Sequence, residues 1–164
     1  MKAAFLRKLE QFFTAAGLTR VHPESVEPTA RAAVEALAGL PHYEQIWAGD
    51  LQTTVQIVVV ASGERLPGVE FARRAHLLRE RAVSLSPRVK GEVQVLQLAL
   101  YERPVPAEER EFVIEKGRIA AGWPLARGRV ATWMVSLSEP AVHAGAFRGW
   151  PGELSADQLR ALLS

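Results

Sequence analysis

The sequence contains no cysteine and no asparagine. Without cysteine, disulfides, thiolate zinc sites, iron–sulfur clusters and a cysteine nucleophile are all excluded. The basic residues are mostly arginine, a bias that fits a GC-rich genome, and the missing asparagine and cysteine are typical of thermophiles. We therefore expect a thermophile protein, and a thermal midpoint of about 50 °C, which is typical of mesophilic domains, would contradict this expectation.

Long apolar runs are missing as well. Arg7, Lys8 and Glu10 interrupt the N-terminal segment, so it is not predicted to be a signal peptide. The apolar stretch at 57–61 is far shorter than the about 20 residues that cross a bilayer. A net charge of +2 does not indicate a general polyanion binder. We expect a soluble, cytoplasmic protein with no membrane span within residues 1–164.

The length of 164 residues fits one domain that buries a single core. Hydrophobic residues make up 48% and charged residues 23% of the chain, which is near the average of globular proteins and excludes a disordered chain. We predict one domain over 1–164. It would contain a pair of helices within 1–40, a core of strands and helices within 50–150, and a closing helix within 153–164.

Hydrophobic periodicity predicts the secondary structure. Apolar residues at helical spacing favour helices over 3–16, 28–38 and 67–83. Three β-rich segments read TTVQIVVVA, GEVQVLQLALYER and RVATWMVSLSE, and a fourth helical pattern, PAEEREFVIEKG, lies between the last two. The segment AVHAGAFRGWPGE is predicted to be a loop.

Strands that alternate with helices favour an α/β fold with right-handed crossovers and parallel middle strands. We predict a small, mostly parallel or mixed sheet of about three to four strands, with helices packed on it and two N-terminal helices.

The loop between the first of these strands and its helix resembles half of a phosphate-binding loop. Gly63 and Gly68 have the G-x-x-x-x-G spacing between a strand and a helix. Val69 and Glu70 stand where the lysine and the magnesium-binding hydroxyl would be required, so an ordinary turn is favoured. A small-molecule site near Ser62 and Gly63 is an alternative that depends on fold analogy.

The four histidines do not form a recognisable metal or catalytic motif. No pair has the i, i+4 spacing of a metalloprotease helix, and a zinc deaminase would need cysteines that the chain lacks. We therefore predict no cofactor and no catalytic residue.

Positive charge is concentrated between residues 65 and 90, which suggests an anion-binding face or a solvated helix face. A loosely matched nuclease pattern, with acids at strand ends beside a lysine, adds a magnesium site to this alternative. The alternative is a nucleic-acid-binding or Mg-dependent nuclease-like domain. Its anion-binding residues would be Arg73, Arg74, Arg79, Arg81, Arg88 and Lys90, with Asp50 and Glu92 as metal ligands.

A glycine-rich stretch near the C-terminus combines two aromatic residues with an arginine. Phe147, Arg148 and Trp150 are of the types that dominate interface hot spots. We predict that they bind a protein partner, whereas packing of the loop onto the sheet is the structural alternative.

Residues 50–150 resemble a known kind of domain. The run carries TTVQIVVVAS, VQVLQLALYER, EEREFVIEKG and RVATWMVSLSEPAVHAG. In element order, and in an apolar final strand that ends in a turn, it is similar to the cytosolic domains that precede the membrane part of bacterial rhomboid-type proteases. The catalytic serine and histidine of that family belong to its membrane segments, so none is carried over. The resemblance implies a non-catalytic soluble domain attached to a membrane protein.

Together these features predict a non-catalytic protein-interaction or regulatory module, which the resemblance implies is the soluble cytosolic domain of a larger membrane protein. The basic face between residues 65 and 90 keeps the nucleic-acid alternative open. The sequence does not indicate the oligomeric state.

Overall fold

The described part of the chain forms one six-stranded mixed sheet with helices packed on both faces. The structure is a computed structural model. It describes residues 1–51, 54–86, 89, 92–111, 128–144 and 155–164.

Strands and helices alternate through most of the chain. The strands are β1 (Thr19–Arg20), β2 (Tyr43–Leu51), β3 (Thr54–Ser62), β4 (Glu92–Tyr101), β5 (Gly128–Ser136) and β6 (Ala141–Ala144). The helices are α1 (Lys2–Ala15), α2 (Pro28–Ala36), α3 (Gly68–Leu85), α4, of which residues 107–111 are described, and α5 (Ala156–Leu162).

The strands lie side by side in chain order, from β1 to β6. The pairs β3–β4 and β4–β5 are parallel, which confirms the predicted parallel middle of a mixed sheet. The pairs β1–β2, β2–β3 and β5–β6 are antiparallel. The predicted number of three to four strands is wrong, because β1, β2 and β6 add an antiparallel flank on each side of the parallel strands.

Strand β2 is not among the predicted strands, and it contains a glycine, Gly49, near its end. A Cβ atom built on Gly49 would lie 2.8 Å from the backbone oxygen of Gly17, so the two chain segments approach too closely for a side chain. The glycine therefore marks a close backbone approach within a strand.

Strand β6 corrects the prediction of a loop over AVHAGAFRGWPGE. Residues 141–144 pair antiparallel with β5, and Val142 lies opposite Val135. Four residues without a clear alternation carry little strand signal, so the pairing is decided by the neighbouring strand.

One sheet face is covered by α1 and α5. Phe5, Leu9 and Phe13 recur at helical spacing on α1 and are buried against this face together with Leu159 of α5. Burying aliphatic and aromatic side chains of this size contributes about 1.5–3 kcal/mol each. The opposite face is covered by α2 and α3, whose small and branched side chains pack on β3, β4 and β5.

Two helices begin at residues whose chemistry favours a helix start. Pro28 stands at the first position of α2, where its missing N–H has no cost. Ser155 caps α5 in a capping box, since its side chain accepts from the Gln158 amide while the Gln158 side chain accepts from the Ser155 amide.

None of the helices within the described residues is both long and apolar enough to cross a membrane.

Candidate functional site

The loop between β3 and α3 is filled by side chains of the chain itself. A Cβ atom on Gly63 would overlap the ring of Tyr101, so the aromatic ring lies directly against the loop backbone. At the start of α3, the Gly68 amide donates to the Glu109 carboxylate at 2.6 Å. A carboxylate of α4 thus takes the position at a helix N-terminus where a phosphate loop would hold an anion.

Two further polar groups at this end of the sheet bond to the Glu64 carboxylate. The Ser62 hydroxyl donates to the Glu64 carboxylate at 3.0 Å, and the Glu102 amide donates to the same side chain at 3.0 Å. Burial raises the pKa of the Tyr101 hydroxyl above its usual range, and the carboxylates of Glu109 and Glu64 raise it further. A hydroxyl held neutral among carboxylates does not favour a phosphate ligand.

The basic residues of α3 are largely engaged with their own surroundings. Arg74 is 2% exposed, donates to the Glu70 carboxylate at 2.8 Å and to the Pro41 carbonyl at 2.6 Å, and lies over the Tyr43 ring. Arg73 is exposed but forms an ion pair with the same Glu70 at 2.6 Å. Two of the predicted anion-binding residues therefore share one carboxylate.

Arg81 joins two helices. Its guanidinium donates to the carbonyls of Ala36 and Ala38 at 2.8 and 2.7 Å, at the C-terminal end of α2, where a cation complements the helix dipole. Arg79, which lies on α3 like Arg81, is half-buried. Arg88 and Lys90 lie outside the described residues.

A buried network that the sequence did not suggest anchors α3 to the sheet. The Gln97 amide donates to the Thr132 hydroxyl at 3.0 Å and to the Phe71 carbonyl at 3.2 Å, and its oxygen accepts from the Tyr43 hydroxyl at 3.1 Å. The Gln97 side chain that makes these three hydrogen bonds has no exposed fraction. The network fixes one packing arrangement of α3. Burial is the main reason that the pKa of Tyr43 is raised.

The structure places Asp50 and Glu92 on opposite faces of the sheet. Asp50 lies opposite Val55, and Glu92 lies opposite Thr54, the adjacent residue of β3, whose side chain points the other way. Glu92 forms an ion pair with Arg129 at 2.9 Å. The two carboxylates predicted as metal ligands are therefore not brought together.

No group of three or more histidine, aspartate or glutamate side chains that could hold a metal ion occurs in the described ranges.

Asp50 instead lies in the wall of an open cavity of about 520 Å³ at the β1 edge of the sheet. The cavity is formed between the end of α1, the strands β1 and β2, and the start of α2. We call it the Asp50 cavity. Its lining residues are Gly17, Thr19, Arg20, Ser25, Val26, Glu27, Ala30, Gly49 and Asp50.

The polar groups of the Asp50 cavity are held by local contacts. The Asp50 carboxylate accepts from the Thr29 hydroxyl at 2.9 Å, and the Glu27 carboxylate accepts from the Ala30 amide at 3.3 Å at the start of α2. Arg20 donates to the Glu44 carbonyl at 3.1 Å and lies 5.7 Å from the centroid of the Trp47 ring. Sequence reasoning missed this cavity because its residues come from three separate segments.

The predicted partner-binding residues Phe147, Arg148 and Trp150 lie outside the described residues. The strand β6 ends at Ala144, immediately before the segment that contains them.

Comparisons with known proteins find no match for the chain among family models, curated proteins or solved structures. The resemblance to the cytosolic domains of rhomboid-type proteases therefore stays a prediction.

Proposed function

We propose that the chain is a non-catalytic protein-interaction or regulatory module. The observation that carries the proposal is the Asp50 cavity, beside which Val26 is 90% exposed. An exposed large aliphatic side chain in the lining of an open cavity that also contains carboxylates combines the apolar and polar contacts of a protein interface. The cavity is open to solvent, whereas a small-molecule site would enclose most of its ligand.

The β3–α3 loop supports the same proposal. In many α/β proteins the carboxyl ends of parallel strands bind the substrate. Here Tyr101 covers Gly63, and Glu109 accepts from the Gly68 amide. These contacts give the loop a structural role in joining α3 to α4.

The alternative of a nucleic-acid-binding or nuclease-like domain gains less support. Arg74 and Arg81 bond to the chain itself, and Arg73 is paired with Glu70. Direct contact with phosphates would require these guanidinium groups to leave existing partners.

The proposal includes a second contact surface and a cellular setting. Phe147, Arg148 and Trp150 would contact the partner from the segment after β6. The setting implied by the resemblance is the cytoplasmic side of a larger membrane protein, to which the chain would contribute a regulatory domain.

The test compares capture of partners by the wild-type chain with capture by Val26→Ser. The matched control is Val69→Ser, which changes an equally aliphatic side chain that is 62% exposed on α3. Both substitutions are at exposed positions, so the melting temperature should change little. We expect a protein captured by the wild type and the control to be lost with Val26→Ser.

The captured protein is then purified, and its binding to the wild type, to Val26→Ser and to Val69→Ser is measured by calorimetry. Direct binding that Val26→Ser weakens and Val69→Ser preserves would support the proposal. Captured proteins that fail to bind when purified, or that bind all three chains equally, would contradict it for this surface, as would turnover of a substrate by the chain alone.

A further inference from the structure

We infer that the Asp50 cavity binds a basic side chain, arginine or lysine, of the protein partner. The inference rests on the proposed function and names the chemical group that the Asp50 cavity recognises in the partner. It depends on three properties of the cavity, which are its shape, its charge and its apolar border.

The shape of the cavity admits a side chain from outside. The exposed lining residues are Gly17, Thr19, Val26, Glu27 and Asp50. The volume of about 520 Å³ exceeds what one long side chain needs, so part of the neighbouring backbone of the partner can enter with it. The close approach of Gly17 and Gly49 keeps the inner wall free of side chains at that point.

The charge of the cavity favours a cation. Two carboxylates, of Glu27 and Asp50, line it together with one guanidinium, of Arg20. The Arg20 guanidinium already contacts the Glu44 carbonyl and the Trp47 ring. The net charge of the lining is therefore negative in a chain whose overall charge is +2.

Both carboxylates have remaining hydrogen-bonding capacity. A carboxylate can accept about four hydrogen bonds. Asp50 uses its Oδ2 atom for the Thr29 hydroxyl, and Glu27 uses its Oε2 atom for the Ala30 amide. A guanidinium or ammonium group donates several hydrogen bonds at once, and charge-assisted bonds of this kind are roughly twice as strong as neutral ones.

The apolar border of the cavity adds specificity for the residue of the partner that neighbours the basic side chain. Val26 is exposed to 90% and neighbours Glu27 in the chain. Burying it would require an apolar residue of the partner. The recognised segment is therefore a basic side chain with an aliphatic neighbour.

The test uses three short peptides and the whole chain. The probe is acetyl-Val-Arg-Val-amide, and its matched controls carry citrulline, which is the uncharged isostere of arginine, or glutamate at the central position. Binding is followed through the NMR shifts of the backbone amides of Gly17, Thr19 and Gly49. We expect a saturable shift at these amides with the arginine peptide alone.

Substitutions then separate the cavity from general surface charge. Asp50→Asn keeps an oxygen for the Thr29 hydroxyl and removes the negative charge, and we expect about fivefold to tenfold weaker binding. Glu27→Gln is a second variant with the same expectation. Glu80→Gln, at an exposed carboxylate of α3, should bind the peptide like the wild type. Melting temperatures verify that each variant is folded.

Equal shifts with the citrulline peptide, no saturable shift, or unchanged affinity of both cavity variants would overturn the inference. Self-association of the wild-type chain that Asp50→Asn abolishes would assign the cavity to a second copy and also overturn it. If a purified partner binds in a manner that depends on Val26 but not on Asp50 or Glu27, the inference fails while the proposed function stands.

Discussion

Two tyrosine residues show how differently the same side chain can be used. The Tyr43 hydroxyl donates to Gln97 in a fully used network. The Tyr101 hydroxyl is buried without a hydrogen-bond partner in the described part of the structure, and its ring instead packs against Gly63. The ring of Tyr101 is therefore the part that stabilises the fold.

We predict opposite outcomes for the two tyrosine-to-phenylalanine substitutions. Tyr43→Phe leaves the Gln97 oxygen without its donor and should lower the free energy of unfolding by about 1–2 kcal/mol. Tyr101→Phe removes an unpaired hydroxyl and should leave the free energy of unfolding unchanged or raise it slightly. Urea unfolding monitored by circular dichroism measures both. An equal loss in the two variants would contradict the prediction.

The carboxylate of Glu70 makes stability depend on pH. Hydrogen bonds from Arg73, and then from Arg74, lower the pKa of Glu70 from 4.5 to about 2. Because the pKa is lower in the folded state, the contribution is present above pH 4.5 and is lost as the pH falls toward 2.

Glu70→Gln should therefore destabilise the protein at neutral pH and matter less in acid. Allowing for solvent screening of the exposed Arg73, we expect a difference of about 1–2 kcal/mol at pH 7 that shrinks as the pH falls. Urea unfolding of both proteins across the acidic range measures it. Two stability curves that stay parallel down to the lowest pH would refute the assignment.

At the scale of elements, the contact between α4 and α3 stands out because it involves a helix start. Glu109 on α4 accepts from the Gly68 amide, which is one of the amides that α3 cannot satisfy itself. The contact satisfies an amide at a helix start that no N-cap side chain bonds to.

Removing this carboxylate should loosen the junction between the two helices. Glu109→Ala is expected to lower the free energy of unfolding by about 1–2 kcal/mol, and Glu109→Gln by less because the amide oxygen still accepts. Glu108→Ala, at the exposed neighbouring position, is the control. A loss with Glu108→Ala as large as with Glu109→Ala would show a general effect on α4 instead of the Gly68 contact.

At the scale of the whole molecule, internal pairing decides how much of the basic charge is available. We predict that the chain gives no gel shift with DNA or RNA at about 50 mM salt, because Arg74 and Arg81 are engaged within the protein. A shift that weakens steeply with salt and is reduced by Arg73→Gln would restore the nucleic-acid alternative.

The second contact surface, proposed for Phe147, Arg148 and Trp150, leads to a further prediction at this scale. Phe147→Ala combined with Trp150→Ala should change the free energy of unfolding by less than about 1 kcal/mol if both side chains serve a partner. Trp133→Ala, at a position with no exposed fraction, is the control for a core residue and should cost about 3–5 kcal/mol. A loss of several kcal/mol with the double variant would place both residues in the core.

Much of the fold was predictable from local patterns. The helical spacing of Phe5, Leu9 and Phe13 gave α1, and the β-branched run of β3 gave a strand buried on both faces. Both signals are local, because one turn of helix or one strand contains them completely. The signals for the helix starts at Pro28 and Ser155 are local for the same reason.

The candidate site was not predictable, because its residues are distant in the sequence. Asp50 was selected as a metal ligand, yet the pairing register places it on the face opposite Glu92 and beside Thr29. A shift of one residue along a strand reverses the face of every side chain, and the sequence does not state the register.

By itself, the sequence determined which segments form helices and central strands, since those follow from short-range periodicity and from side chains that must be buried. The tertiary structure alone decided the antiparallel flanks of the sheet and the Asp50 cavity. It also decided which carbonyl groups the Arg74 and Arg81 side chains bond to. The physical reason is that hydrogen-bond partners, strand neighbours and enclosed space are properties of segments that meet only when the chain has folded.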